Sequence, residues 1–110
     1  MRKYHINEFV NGWFIGNFEP SIFKTSSFEI AFKEFKKGSI EPRHFQLTAV
    51  EITLVIKGEI YLGSEVFTTG EIAIIEPLEQ AEFCAITDSA VLCIKFPSIP
   101  NDKVVVNESN

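Results

Sequence analysis

The sequence predicts an all-β fold, a sandwich or barrel, from three observations. Short apolar-alternating runs recur from Phe28 onward, glycine, proline or polar pairs punctuate them at regular spacings, and no segment carries a helical period. The first run, SFEIAFKEFK, alternates Phe28, Ile30 and Phe32 against Glu29 and Lys33 before KKGS turns the chain. VEITLVIKG follows, then EIYLGSEVF, where Gly63-Ser64 sits at the position a tight hairpin requires. Thr69-Gly70 makes the next break. EIAIIEP, EQAEFCAIT and SAVLCIKF supply three further strands, with Pro77 ending the first and Asp88-Ser89 separating the other two. The first 26 residues are different in kind: Tyr4, Phe9, Trp13, Phe14, Phe18 and Phe23 are interspersed with Gly12, Gly16 and Pro20, the composition of an irregular arm or edge strand packed on the sheets. A short strand is expected at 103–106, followed by a frayed polar tail. The expected organisation is therefore an arm over 1–26, a barrel over 27–106 and a tail over 107–110.

Length and composition bound what such a domain does. At 110 residues the chain makes one domain with a real core, and 45% hydrophobic residues with 11 phenylalanines give it the means to fill that core. The formal net charge of -5 disfavours phosphate backbones, and Lys33, Lys36 and Lys37 form only a short local cluster, so no nucleic-acid partner is expected. No apolar run approaches the roughly 20 residues of a membrane span, and MRKYHINEFVNGW lacks a signal-peptide core. A cytoplasmic protein with no membrane partner is the expectation. Cys84 and Cys93, both in apolar alternating runs, are expected as buried thiols rather than a disulfide or a zinc knuckle.

The chemistry concentrates in GSIEPRHFQLTAVEITLVIKG, from Gly38 to Gly58. Glycine, five residues, His44, one residue, Gln46, four residues, Glu51, six residues and Gly58 is a spacing that resembles the first motif of the cupin superfamily, with Gln46 in place of a second histidine. The second cupin motif is recognisable and altered: Pro77 stands one position late after Gly70, Glu79 replaces the motif glycine, and Glu82 stands where a histidine is usual. The resemblance covers about Phe28 to Phe96. WFIGNFEPS, EIAIIEPLEQAEF and IKFPSIPNDKVV are similar to segments of small single-domain cupins from bacteria and their phages, a group whose roles are mostly unassigned and which already lacks the last histidine.

The resemblance implies a double-stranded β-helix, a jelly-roll-like barrel. It also implies a site formed by His44, Gln46, Glu51 and Glu82 on the inner wall. In cupins with the full ligand set, three histidines and a glutamate hold a transition metal; here one nitrogen and three oxygens would favour a harder, weakly held divalent ion such as manganese, or no metal at all. Without a metal, Glu51 and Glu82 buried together would repel one another and His44 would join their proton network, with His44 and Glu51 as the catalytic candidates. Three functions follow: a binding module for a small polar, carbohydrate-like ligand through His44, Gln46, Glu51 and Glu82; a metal-independent sugar or sugar-nucleotide isomerase or epimerase; and a divalent-metal-dependent cupin enzyme. His5 reads as a surface or capping histidine, Trp13 as packing under the arm or as a stacking platform, and Arg43 as pointing away from the barrel if His44 points in.

Assembly is the last expectation. If Glu51 faces the interior, strand alternation turns Val50, Ile52, Leu54 and Ile56 outward. The arm, a second sheet or another subunit must cover them, and a homodimer is the expected answer.

Overall fold

A computed structural model describes residues 1–107, so most of the polar tail expected over 107–110 lies outside the described residues. Two 3₁₀ turns, Ile6–Glu8 and Val10–Gly12, precede eleven strands. These are β1 (Trp13–Gly16), β2 (Phe23–Lys24), β3 (Glu29–Phe35), β4 (Ile40–Gln46), β5 (Val50–Lys57) and β6 (Glu59–Leu62), followed by β7 (Glu65–Thr68), β8 (Ile72–Ile75), β9 (Ala81–Ala85), β10 (Ser89–Phe96) and β11 (Lys103–Val105). They form two sheets facing each other, in the orders β2-β1-β3-β10-β5-β8 and β11-β4-β9-β6-β7. The all-β expectation holds, and the N-terminal arm contributes β1 and β2 as edge strands beside β3. The sequence reading placed Lys103 to Val106 in one strand; the strand ends at Val105.

Registry along β5 and β10 grades the interior from charged to apolar. Their inward-facing pairs are Glu51 with Lys95, Thr53 with Cys93, and Val55 with Val91. Each step of two residues keeps the same face, so one strand pair carries an ion pair at one level and a dry valine contact two levels away. Around the valines, Ile60, Phe83, Ala85 and Ala31 close the core, and the Phe35 and Phe83 rings meet at 4.4 Å between centroids. Alanines at 31, 73, 81 and 85 let the two sheets approach closely there.

Two local devices fix the polar end. In β4 and β9, Glu41 lies opposite Phe83 and His44 opposite Ala81, so three residues on one strand span two on the other. This bulge at Pro42 and Arg43 turns both Glu41 and His44 inward, where strict alternation would have put them on opposite faces. The loop from β4 to β5 is clamped by Asp102, a buried carboxylate that accepts hydrogen bonds from the backbone N–H of Thr48 and of Ala49 at 3.0 and 2.9 Å. That loop joins the strand of His44 to the strand of Glu51, so the clamp holds the spacing between them.

Alternation also produces an outer face. On the first sheet the residues opposite to the core positions line up across four strands as Ile30, Ile94, Ile52 and Ile74, and again as Phe32, Leu92, Leu54 and Ile72. The arm lies beside β3 and over the polar end of the interior, and the second sheet lies on the other side. Ile72 and Ile74 are 61% and 58% exposed.

Candidate functional site

A cavity of about 700 Å³ opens at the polar end between the sheets. His44 and Glu51 line it together with Glu41, Lys33, Lys95, Thr53 and Cys93, and Trp13 and Phe9 of the arm form part of its rim. His44 is buried, and its Nδ1 lies 3.1 Å from the carbonyl oxygen of Pro42. A carbonyl only accepts, so Nδ1 carries the proton and Nε2 of the neutral ring is the acceptor nitrogen. The bulge residue that aims the imidazole thus also fixes its tautomer.

Glu51 is buried and faces Lys95 across the β5–β10 ladder, with Nζ 3.8 Å from Oε1. Lys33 makes the equivalent 3.8 Å contact to Glu41. Both ammonium groups sit over the ring of Trp13, at 5.2 Å for Lys33 and 4.9 Å for Lys95. A cation over an indole face is attracted by the ring quadrupole, and the attraction grows as water is removed. One level below, Cys93 lies 3.8 Å from the Thr53 hydroxyl. Burial first, and the Glu51 carboxylate second, push its thiol up to about 11, which keeps it protonated and unreactive at neutral pH.

The structure therefore brings together two of the four residues singled out from the sequence. Gln46 shares the inward face with His44 but is not among the cavity-lining residues; it is only 2% exposed, and its Nε2 has no hydrogen-bond partner among the described residues. Glu82 lies on β9 between the buried Ala81 and Phe83, so alternation turns it to the outer face. There it pairs with Arg43 at 3.6 Å, and their side chains are 45% and 42% exposed. Repulsion between Glu51 and Glu82 does not arise, because Glu82 is outside and the neighbour of Glu51 is a lysine. Arg43 points away from the cavity, and His5 caps the first 3₁₀ turn by accepting from the Asn7 N–H. Cys84 and Cys93 are both free thiols.

The residues do not fit a four-donor metal centre. Of the expected donors only His44 and Glu51 share the cavity, and Glu51 is directed to an ammonium group. Among the described residues no group of three or more His, Cys, Asp or Glu side chains is placed to hold a metal ion. Sequence reasoning missed Glu41, Lys33 and Lys95. It counted Lys33 with a surface cluster, and only the β3–β10–β5 registry reveals that Lys33 and Lys95 face the same interior as Glu51.

No protein-family model matches the chain, and no curated protein matches it. Solved structures do. An uncharacterized conserved protein with a double-stranded beta-helix domain from Klebsiella pneumoniae superposes with a TM-score of 0.68 at 16% identity, covering 98% of this chain and 99% of that one. KdgF from Halomonas sp. gives 0.63 at 18% identity over 70% of this chain and 74% of that one. DMSP lyase DddQ from Ruegeria pomeroyi gives 0.73 at 17% identity over 89% of this chain and 52% of that one, so the chain spans about half of that enzyme's length. A sugar phosphate isomerase from a cupin superfamily, from Silicibacter pomeroyi, also superposes, with a TM-score of 0.58 at 20% identity, over 64% of this chain and 51% of that one. Two facing sheets, His44 and Glu51 of the Gly38–Gly58 segment turned to the interior, and these superpositions agree that the chain has the cupin fold, a double-stranded β-helix.

Proposed function

We propose that the protein binds a small polar, carbohydrate-like molecule in the cavity, with His44 and Glu51 as its principal contacts. The observation that carries this reading is the grading of the β5–β10 interior, which ends in a solvent-accessible space lined by paired charges instead of closing in apolar packing. Buried charge is costly and stabilises little by itself, so a structure that concentrates it around a cavity is arranged for a ligand. Carboxylate, imidazole and ammonium groups match the alternating donors and acceptors of hydroxyl groups. A cytoplasmic setting suits the two free thiols. The test is thermal stabilisation and calorimetric binding across a panel of monosaccharides, nucleotide sugars and sugar acids. Binding by at least one of them, lost in His44→Ala, is the expected result; no binding by any member, or binding indifferent to His44, would overturn the reading.

A second reading is a metal-independent isomerase or epimerase. It is supported by the His44 tautomer, which presents an unprotonated Nε2 as a base for a proton next to a carbonyl. Glu51→Gln separates the two: turnover lost with binding retained makes the protein an enzyme, whereas no turnover of any bound sugar by the wild type leaves it a binding module.

We also propose that the protein works as a homodimer through the outer face of the first sheet. The two apolar rows cross four adjacent strands, half-buried over β3, β10 and β5 and exposed at Ile72 and Ile74, a contiguous apolar face of the kind that marks an interface. A chain of net charge -5 repels its own copies elsewhere, and these rows bring no like charges together. A two-fold contact would bring the same apolar rows of both copies together.

A further inference from the structure

We propose that Lys33 and Lys95, held over Trp13, receive a carboxylate group of the ligand, so that the cavity takes a polyhydroxy acid and draws its positive charge from the chain itself. This rests on the binding function proposed above and names its ligand class. Both ammonium groups lie about 5 Å from one ring centroid and both lysines line the cavity, so a single ligand there can reach the two of them. Their side chains are only 19% and 12% exposed, which means that both have given up most of their water. What they receive in return is incomplete. Each meets one carboxylate oxygen at 3.8 Å, longer than a hydrogen bond, and the indole face offers attraction but no lone pair. An ammonium group has three N–H donors, so both lysines keep donors for an incoming oxygen.

The chemistry of the anion is constrained by the rest of the wall. Glu41 and Glu51 also line the cavity, so a dianionic phosphate would meet more repulsion there than a carboxylate, which carries one spread charge. Glu29, also at the wall, accepts a hydrogen bond from the Ser98 hydroxyl at 2.8 Å and is thereby engaged. Once a carboxylate takes the ammonium donors, the oxygens of Glu41 and Glu51 and Nε2 of His44 are acceptors for the hydroxyl groups of the same molecule. Among the described residues metal donors are not gathered around Glu51, and the positive charge of the cavity wall comes instead from Lys95 beside Glu51 and Lys33 beside Glu41, on β10 and β3.

Trp13 is the single tryptophan, so its fluorescence reports directly on this region. The experiment titrates EDTA-treated protein with glucuronate, galacturonate and gluconate, and with the neutral glucose, galactose and sorbitol. Acids are expected to change Trp13 emission and to bind more tightly than their neutral counterparts, with Lys33→Met weakening the acids by roughly tenfold and the neutral sugars little. Lys95→Met strands a buried Glu51 and is read only beside the charge-balanced Lys95→Met/Glu51→Gln protein. Equal binding of acids and neutral sugars, indifference to Lys33→Met, or acid binding that requires added manganese would overturn the inference and leave the proposed function standing. Failure of all six compounds would overturn the inference, and failure of the nucleotide sugars as well would overturn the proposed function.

Discussion

Cys93 sits one level below the Glu51–Lys95 pair, and its environment leads to a prediction at the scale of a single residue. Its thiol is raised to about 11 in the fold by burial and by Glu51. A thiol raised on folding adds stability that is complete below its unfolded value and is lost as pH rises through the folded one. Unfolding free energies from denaturant titrations should therefore fall between about pH 9 and pH 11, by an amount of order 2 kcal/mol that Cys93→Ala removes. At pH 8 a thiol reagent should modify the partly exposed Cys84 well before Cys93. Equal rates for the two would mean that the Cys93 thiol is not shielded by its burial. The ion pair above it obeys a different rule: removing one partner leaves a buried charge uncompensated, so Glu51→Ala or Lys95→Met alone should cost about 3 kcal/mol or more, and the double replacement less than either. Unfolding curves of the three proteins check this.

At the scale of elements, the two glycines that frame the His44–Glu51 segment do unequal work. Both have positive φ, 88° at Gly38 and 89° at Gly58. A Cβ at Gly38 would meet nothing, whereas one at Gly58 would collide with the Asp88 carbonyl, because the β5–β6 turn packs against the β9–β10 turn. Gly38→Ala should cost about 1 kcal/mol from backbone strain alone and Gly58→Ala roughly 2–4 kcal/mol. Thermal unfolding distinguishes them, and equal effects would show that the turn contact is not restrictive. These glycines were legible in the sequence, as were the strands, because a period of two and turn chemistry are local signals. His44 and Glu51 were legible for the same reason, since both lie within one framed segment. Glu41 was not: it depends on a bulge that shifts alternation at Pro42 and Arg43. The inward side of Glu82 was misjudged because a motif position implied it, while its own neighbours, Ala81 and Phe83, indicate that the core lies on their side. Lys33 and Lys95 needed registry between strands some sixty residues apart, which no local pattern carries.

Across the whole molecule, the same alternation that lines a polar cavity on one side of the first sheet lays Ile30, Ile94, Ile52 and Ile74 on the other. Light scattering should give a dimer, and Ile74→Glu, which places a charge at the exposed edge-strand end of the proposed contact, should give a folded monomer. A wild-type monomer at working concentration would remove the proposal, and a dimer untouched by Ile74→Glu would move the contact to another face. The cavity and this surface lie on opposite sides of the sheet, so the monomeric variant should still bind ligand. The central claim concerns the cavity, and a crystal structure with the most stabilising sugar or sugar acid tests it most directly. The account predicts density between the sheets, with hydroxyl oxygens within hydrogen-bond distance of His44 Nε2 and Glu51. Density beside Arg43 and Glu82 on the outer face, with the cavity holding only water at saturating ligand, would contradict it.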